Sequence, residues 1–287
     1  MIAEQALTED HISEACDALA VAGIASGYPA WLEDGSACDL PVDGDPVIAR
    51  RALAILAGVD VLVQSRRERG KRLLVADMDS TMITVECIDE LADYAGLKAE
   101  VAAITERAMQ GELDFEAALD ARVALLAGMD EAVLARCREE RVRYTPGAKT
   151  LVRTMKAHGA TTILVSGGFS HFADAVGAEL GFDRVIANRL EVSDGKLTGK
   201  VIPPIVGAEA KRQVLLEACT ELGIPIEAAL AVGDGANDIP MLQAAGLGVA
   251  YHAKPAASEA ADATVDHNDL TALLYVQRIP TREWVGG

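Results

Sequence analysis

The feature that most constrains the fold is a short apolar run that ends in two acidic residues. Residues 73–76 read Leu-Leu-Val-Ala, and Asp77, Met78 and Asp79 follow directly. A continuous apolar run of this length is typical of a parallel strand that is covered on both faces. The carboxyl end of such a strand is where an open α/β sheet places its ligand. Because two carboxylates so close together repel each other, we expect a bound cation or one protonated carboxyl there.

The later part of the chain predicts a Rossmann-like, doubly wound parallel α/β sheet. Apolar runs indicate further strands over residues 161–165, 184–187 and 229–232. Between them, patterns of helical period predict helices over residues 148–158, 172–180, 208–222 and 239–245. Residues 190–201 predict a β-hairpin, because the Asp194-Gly195 pair suits a two-residue turn.

A helical insertion separates the first strand from the rest of the sheet. Glycines at 96, 111 and 128 divide it, and the predicted helices cover residues 86–95, 98–109, 114–127 and 130–141. Such an insertion predicts a helical-bundle cap over residues 82–143. The catalytic core would then comprise residues 70–81 and 144–287.

Residues 1–69 predict a small α+β domain. Thr8 can cap a helix over residues 9–22, and Asp45-Pro46 starts a second helix that ends near Gly58. Strands are expected over residues 24–31, 38–42 and 59–63, with none before the first helix. This order is α-β-β-α-β, and the charged stretch 66–70 predicts a linker to the core. We expect no catalytic residue in this domain.

Charge and composition exclude several classes of partner. The net charge of −18, from 26 basic and 44 acidic residues, argues against nucleic acid and against an anionic membrane surface. No run approaches the roughly 18 apolar residues of a membrane span, and the start lacks the basic and apolar segments of a secretory signal. The five cysteines show no Cys-x-x-Cys spacing, which predicts reduced thiols and a cytoplasmic location.

Polar groups recur at the ends of the predicted strands and at the start of one helix. Taken singly they are weak signals. Thr81 stands where a calcium loop has Asp or Asn, and the segment 233–238 lacks the third glycine of a dinucleotide loop. Together they fit phosphate ester hydrolysis, which needs a carboxylate-held divalent cation, a nucleophile, a proton donor and a phosphate cradle. The groups are Asp77, Asp79, Ser166, Gly167, Gly168, Lys211, Asp234, Asn237 and Asp238.

Four segments carry these groups, namely residues 77–81, 166–169, Lys211 and 233–238. In this order they resemble the motifs of the haloacid dehalogenase superfamily of phosphatases. The resemblance implies that Asp77 is the nucleophile and Asp79 the general acid and base. It also implies Mg²⁺ bound by Asp77, the backbone carbonyl of Asp79 and Asp234, with Asp238 supporting the metal site. Phosphate and substrate would be held by the remaining residues, namely Ser166, Gly167, Gly168, Lys211 and Asn237.

The cap resembles that of the superfamily members that hydrolyse O-phosphoserine. The resemblance spans about residues 72–276. In the cap it rests on Glu86, Met109, Phe115 and Arg122, and it implies that these four residues bind the substrate. Arg122 emerges from the apolar stripe of its helix, so it either binds an anion or lays its stem along the core. The resemblance favours the anion. It implies Mg²⁺-dependent conversion of O-phospho-L-serine to L-serine and phosphate, through an aspartyl phosphate, as the last step of serine biosynthesis.

Two alternatives stay open at this point. The aspartyl phosphate could pass to an acceptor, as in a related phosphotransferase, or the enzyme could be a broader small-molecule phosphomonoesterase. The N-terminal domain resembles the small ACT-like regulatory domains of longer relatives, although it lacks their opening strand. A regulatory role and a homodimer formed through this domain are both expectations from that resemblance.

Overall fold

The computed structural model describes residues 1–3, 5–65, 67–109 and 114–286, without the side chains of residues 106, 108 and 109. The strands are β1 (Ile2–Ala3), β2 (Ala25–Ser26), β3 (Ala30–Glu33), β4 (Ala37–Asp39), β5 (Val42–Asp43), β6 (Val59–Asp60), β7 (Leu73–Ala76), β8 (Thr161–Phe169), β9 (Arg184–Ser193), β10 (Lys196–Ile202), β11 (Ala229–Gly233), β12 (Leu247–Tyr251) and β13 (Ala263–Val265). The helices are α1 (Glu9–Val21), α2 (Pro46–Leu53), α3 (Cys87–Ala95), α4 (Lys98–Met109), α5 (Phe115–Ala124), α6 (Ala132–Arg141), α7 (Ala148–Ala157), α8 (Ser170–Leu180), α9 (Ala208–Leu222), α10 (Ile239–Ala244), α11 (Pro255–Ala260) and α12 (Ala272–Val276).

The central sheet, within the described ranges, has seven strands in the order β10-β9-β8-β7-β11-β12-β13. Neighbouring strands are parallel except β9 and β10, which form an antiparallel hairpin. The chain moves from β7 to β8 and β9, and then returns to β11 on the other side of β7. A ligand site is expected where the order reverses, at the carboxyl ends of β7 and β11. The predicted Rossmann-like α/β core is confirmed.

Strand β7 lies in the middle of the core. Its four residues are fully buried, as expected for an apolar strand covered on both faces. Ala76 pairs in register with Val232 of β11. The residues that follow these two strands, Asp77 and Asp234, therefore emerge at the same edge of the sheet.

Two strands are longer than the sequence predicts. β8 continues through the expected turn at Ser166 to Phe169, and β9 runs without a break from Arg184 into the hairpin. The register between them shifts, since Ser166 pairs with Ala187 but Phe169 pairs with Asn188. Gly167 and Gly168 thus bulge out of the ladder, which allows a loop-like segment within a continuous strand.

Helices α3 to α6 occupy the insertion between β7 and α7. Local signals set their ends: Gly96 adopts the left-handed conformation after α3, and Asp114 accepts a hydrogen bond from the Ala117 N–H at the start of α5 (2.8 Å). The helix predicted over residues 98–109 has those bounds, whereas α5 ends at Ala124 rather than at 127. The chain enters and leaves the insertion through adjacent segments, because Ile83 and Tyr144 form an antiparallel bridge.

The N-terminal domain contains a strand that the sequence analysis missed. β1 lies inside a four-stranded antiparallel sheet of order β3-β4-β1-β6, where Ile2 pairs with both Ala37 and Asp60. The prediction that no strand precedes the first helix is therefore wrong. The sheet strands and the helices α1 and α2 together follow a β-α-β-β-α-β order, the split βαβ arrangement.

The N-terminal helices are close to their predicted positions. Thr8 caps α1 with the predicted side-chain contact, and Asp45 caps α2, which ends at Leu53, five residues short of Gly58. None of the helices in the described part of the chain is both long and apolar enough to cross a membrane. All five cysteines are free thiols, as predicted, and only Cys16 is not buried.

Candidate active site

Three carboxylates meet where the sheet order reverses. Asp77 follows β7, Asp234 follows β11, and Asp238 lies just before α10. One oxygen from each lies within 4.8 Å of the others, and all three residues are buried. The structure thus brings Asp77 together with two carboxylates that lie more than 150 positions later in the sequence.

Lys211 lies between two of these carboxylates. It is fully buried in the first turns of α9, and its Nζ lies 2.5 Å from Asp77 Oδ1 and 2.7 Å from Asp238 Oδ1. Burial alone lowers the pKa of Lys211, but its contacts with Asp77 and Asp238 outweigh burial and raise that pKa above its usual range. The ammonium therefore stays charged. It opposes protonation of Asp77, whose own pKa is raised well above its usual range by burial and then by the charge of Asp238.

Asp238 uses both of its oxygens inside the protein. Oδ1 accepts from Lys211, and Oδ2 accepts from the backbone N–H groups of Asp234 (3.2 Å) and Gly235 (3.0 Å). A Cβ on Gly233 would lie 2.4 Å from Asp238 Cγ, so only glycine permits this approach. With its lone pairs engaged in this way, Asp238 orients Lys211 and the turn that carries Asp234.

Asp77 and Asp234 have the chemistry of a hard-cation site. Burial, followed by the charge of Asp238, raises the pKa of Asp234 to about 6. Thr81 donates a hydrogen bond to Asp234 Oδ1 (3.3 Å), and Lys254 Nζ lies 3.8 Å from Asp234 Oδ2. Carboxylate oxygens in this arrangement suit Mg²⁺, which takes one or two protein carboxylates together with water and substrate oxygens.

Asp79 lies beside this cluster in a different environment. Its Oδ1 atom is buried and has no hydrogen-bond partner among the described residues. Burial, followed by the nearby charge of Glu86, raises the pKa of Asp79 to about 7. A carboxyl group with such a pKa can donate and accept a proton near neutral pH.

The bulge of β8 faces Asp79. Ser166 Oγ accepts a hydrogen bond from the Gly168 N–H (2.9 Å), which fixes the turn between them. A Cβ on Gly168 would lie 2.8 Å from Asp79 Oδ2 and 3.0 Å from Ser166 Oγ, so a larger residue would displace one of them. Asn237 is half-buried beside the backbone of Gly235.

The insertion contributes residues to the same site. A Cβ on Gly167 would lie 3.3 Å from Phe115 Cζ, and one on Gly207 would lie 3.2 Å from Phe115 Cδ1. The Phe115 ring therefore packs on the backbone of two core segments, one before α8 and one before α9. A side chain at either glycine would force the Phe115 ring to shift by a few tenths of an ångström.

Arg122 and Glu86 provide opposite charges above the core. The Arg122 Nε atom donates to the Ala118 carbonyl within α5 (3.1 Å), while Glu86 Oε1 accepts from the Ser80 hydroxyl (2.7 Å). Burial lowers the pKa of Arg122, and the charges of Asp89 and Glu86 oppose this effect. The remaining predicted substrate residue, Met109, ends α4, but its side chain lies outside the described part of the structure.

Sequence comparison assigns the family. Residues 74–243 match the profile of the haloacid dehalogenase-like hydrolases. The chain belongs to this family. It is 47% identical over 238 residues to the phosphoserine phosphatase of Streptomyces coelicolor, covering 83% of this chain and 58% of that protein. It is also 48% identical over 208 residues to the phosphoserine phosphatase of Albidiferax ferrireducens, covering 71% of this chain and 88% of that protein.

A structural neighbour of this hydrolase includes the N-terminal domain. The crystal structure of a probable phosphoserine phosphatase from Vibrio cholerae, in its unliganded form, superimposes with a TM-score of 0.77 at 36% identity. The match covers 96% of this chain and 85% of that one.

Some residues of the hydrolase site were not predicted from the sequence. Thr81, Ser80 and Lys254 contact Asp234 or Glu86, and none of them was predicted to bind anything. Ser80 and Thr81 follow the acidic pair directly, so their position could have indicated a role. Lys254 comes from the loop after β12, which is a neighbour of β11, and its backbone N–H donates to the Asp234 carbonyl (2.9 Å).

Proposed function

We propose that this hydrolase converts O-phospho-L-serine to L-serine and phosphate, as the last step of serine biosynthesis, through an aspartyl phosphate. The observation that carries this proposal is the buried Lys211, which contacts Asp77 and Asp238 beside Asp234 and Asp79. The activity named for the relatives from S. coelicolor and A. ferrireducens, at 47% and 48% identity, supports the same substrate.

Asp77 is the nucleophile in this proposal. One of its oxygens is held by Lys211, which leaves the other carboxylate oxygen to attack phosphorus in line with the leaving serine oxygen. A P–O bond forms to Asp77 as the bond to the serine oxygen breaks. Water then attacks the same phosphorus, the P–O bond to Asp77 breaks, and phosphate leaves as the carboxylate is restored.

Asp79 moves the protons. With its pKa raised to about 7, a large fraction of Asp79 is protonated at neutral pH, and it can donate that proton to the leaving serine oxygen. The resulting carboxylate accepts a proton from the attacking water in the second step. Proton transfer of this kind contributes roughly 10²–10⁴-fold to rate.

Ser166, Gly167, Gly168, Lys211 and Asn237 hold the phosphate. Serine hydroxyl, amide and ammonium groups complement phosphoryl oxygens. The hydrogen bond that the Gly168 N–H donates to Ser166 Oγ fixes the loop before substrate arrives. Asp77, the Asp79 carbonyl and Asp234 would bind Mg²⁺, with Asp238 in a supporting position. Bound there, the ion neutralises negative charge on the phosphoryl group.

The cap selects serine. Arg122 is suited to bind the substrate carboxylate with two hydrogen bonds, and Glu86 to bind its ammonium group. Phe115 closes the site against water, and the same role for Met109 stays a prediction from sequence. This assignment makes residues 82–143 the specificity domain, and residues 70–81 with 144–287 the catalytic core.

The N-terminal domain, residues 1–69, has its own apolar core, which includes Ile12, Leu19 and Leu53. Its β-α-β-β-α-β order supports an ACT-like regulatory or dimerising role, including a homodimer. A cytoplasmic location stays a prediction from sequence.

A substrate panel tests the function directly. We expect phosphate release from O-phosphoserine to exceed release from other phosphomonoesters, to require Mg²⁺, and to stop with a chelator. Asp77→Asn should bind substrate yet lose turnover and the base-labile phosphate on the protein. Substantial turnover in that variant would exclude the covalent step.

The same assay separates the alternatives. Equal rates across the panel would indicate a broad phosphomonoesterase. Phosphate transfer to an added alcohol acceptor, measured as a new phosphate ester, would indicate a phosphotransferase.

A further inference from the structure

Asn188 is a fully buried polar residue that lies next to the phosphate loop without being part of any motif. It belongs to β9, opposite the bulge at Gly167 and Gly168, where the ladder to β8 is interrupted. Its side chain enters the space that the bulge opens. A buried amide costs free energy unless its donors and acceptor are paired, so its partners identify its role.

The Asn188 amide joins two separate segments of the site. Nδ2 donates to the carbonyl oxygens of Gly167 (2.9 Å) and Val206 (3.3 Å), and Oδ1 accepts from the Val206 N–H (2.7 Å). All its hydrogen-bonding groups are used. The side chain therefore pairs the Gly167 carbonyl at the bulge and ties it to Val206.

Val206 lies directly before the start of α9. Gly207 is the N-cap of that helix, and its carbonyl accepts from the backbone N–H of Lys211 (3.1 Å). A displacement of Val206 would therefore displace the turn that carries Lys211. On the other side, a displacement of Gly167 would move Ser166 and Gly168.

From these contacts, and on the basis of the proposed function, we infer that Asn188 is a positioning residue that sets the spacing between the phosphate loop and the Lys211 helix. It also fixes the separation of Gly167 and Gly207, the two glycines on which Phe115 packs. A hydrophobic residue of similar size would fill the volume of the Asn188 side chain. It would leave the Gly167 and Val206 carbonyls and the Val206 N–H without this partner.

The test compares Asn188→Leu with Thr162→Val. Thr162 is also fully buried, belongs to β8 and bonds across to Asp183, but it lies at the opposite end of that strand. We expect Asn188→Leu to lower kcat/KM for phosphoserine by about 10²-fold, since a shift of about 1 Å in a positioning group has that effect. The inhibition constant of inorganic phosphate should rise about tenfold in parallel, by loss of one charge-assisted contact.

Thr162→Val should lower the melting temperature while kcat/KM and phosphate inhibition stay at their wild-type values. Wild-type phosphate inhibition in folded Asn188→Leu would overturn the inference, as would an equal kinetic loss in Thr162→Val. If Asn188→Leu does not fold, the same kinetic measurements are made on Asn188→Ser. The serine hydroxyl can pair with only part of the backbone groups of Gly167 and Val206 that the amide binds. Wild-type kinetics in that variant would also overturn the inference.

A double variant tests whether Asn188 acts through the loop. Ser166→Ala removes the hydroxyl that the loop presents, and the losses in Ser166→Ala and Asn188→Leu should combine to less than their product. Full multiplication would overturn the inference. If wild-type protein releases no phosphate from phosphoserine, the proposed function fails, while phosphate affinity measured by calorimetry still tests Asn188.

Discussion

The cap and the N-terminal domain contact the same core through different chemistry. The cap places the Phe115 ring on the backbone of Gly167 and Gly207, at the site itself. The N-terminal domain instead places a carboxylate, Asp60, in a loop of the core. Separating the Phe115 ring from the glycine backbone leaves no charged group without a partner. Separating Asp60 from its loop leaves a buried carboxylate without its hydrogen-bond donors.

Asp60 is held by many hydrogen bonds. It is 3% exposed, and it accepts from the backbone N–H groups of Asp266 (2.8 Å), His267 (3.2 Å) and Asn268 (3.0 Å). The Asn268 side-chain amide adds another bond at 2.7 Å. Hydrogen bonds to a charged group contribute about 1.5–3 kcal/mol each.

The difference indicates separate tasks. The Phe115 contact can break and re-form at modest cost, which would suit a segment that admits substrate, while the insertion stays joined to the β9–β10 hairpin by backbone hydrogen bonds. The N-terminal contact is directional and fixed, which suits a domain that stays in place through turnover. Removing a contact in the cap should therefore lower activity more than stability. Removing a contact of the N-terminal domain should lower stability and leave activity unchanged.

The largest effect is expected at Arg122. Arg122→Ala should reduce kcat/KM for phosphoserine by about 10²–10³-fold, because a desolvated charged contact to the substrate carboxylate is lost. Hydrolysis of an aryl phosphate that has neither carboxylate nor amine should fall far less. The exposed Arg136 on α6 provides the control Arg136→Ala, which should leave both rates unchanged. Equal losses on both substrates would assign Arg122 to the fold.

A smaller effect, on stability alone, is expected at Asp60. Asp60→Asn should lower the free energy of unfolding by about 2 kcal/mol, because an amide nitrogen would face backbone donors. Chemical denaturation measures this change, and kcat/KM should not move. Asp43→Asn, an exposed residue of the same domain, is the control. A loss of activity in folded Asp60→Asn would mean that the domain supports the site.

Asp39 should give a still smaller, pH-dependent effect. Burial raises the pKa of Asp39, but hydrogen bonds from Arg69 and Arg278 outweigh burial and hold that pKa below its usual range. Because the pKa of Asp39 is lower in the folded protein than in the unfolded chain, the ionised side chain stabilises the fold. This stabilisation is fully present above the pKa of the unfolded chain, about 3.9, and is lost as the pH falls through the pKa of the folded protein.

The melting temperatures of wild type and Asp39→Asn should therefore differ at pH 6 and converge below about pH 4. Thermal melts at matched ionic strength measure this convergence. A difference that persists at pH 2 would place the stabilisation in packing of the residue and not in its charge.

The smallest effect on catalysis is expected from removing the domain altogether. A chain that begins at Gly70 should keep its kcat/KM for phosphoserine, since no proposed site residue precedes Asp77. It should melt at a lower temperature, because Ile2 and Ala37 pack in the same apolar cluster as Leu274 of the core. Arg122→Ala in this shorter chain should show the same fold-loss as in the full chain. Loss of turnover in a folded, monodisperse sample would show that the domain completes the site.

Local signals predicted much of the fold. The bounds of α4 and α9 agree with the sequence, because glycine and capping residues act within one helical turn. The strand of two residues at Ile2 could not be predicted, since it exists only through pairing with Ala37 and Asp60. Likewise, β8 continues past Ser166 because β9 pairs with it on both sides of the bulge.

The same contrast applies to the site residues. Asp77, Lys211 and Asp234 lie in recognisable segments, and the structure brings them together. Asp60 and Asn188 lie in strands without any motif, and their partners are distant in sequence. The charged stretch 66–70 was predicted as a linker, yet Arg69 binds Asp39 with two hydrogen bonds; Arg66 lies outside the described residues. Side chains that work by joining distant segments leave no local pattern.

The hairpin of β9 and β10 has a consequence for how the cap can move. Three backbone hydrogen bonds join it to the turn after α5: Gly128 N–H to Leu197 O (2.8 Å), Leu197 N–H to Met129 O (2.9 Å) and Glu131 N–H to Gly195 O (2.9 Å). β10 is an edge strand that pairs within the sheet only with β9 in the described structure. A cap that moves away from the core would therefore take the β9–β10 hairpin with it. The resulting distortion would fall on the edge of the sheet, while β7 and β11 in its centre keep their positions.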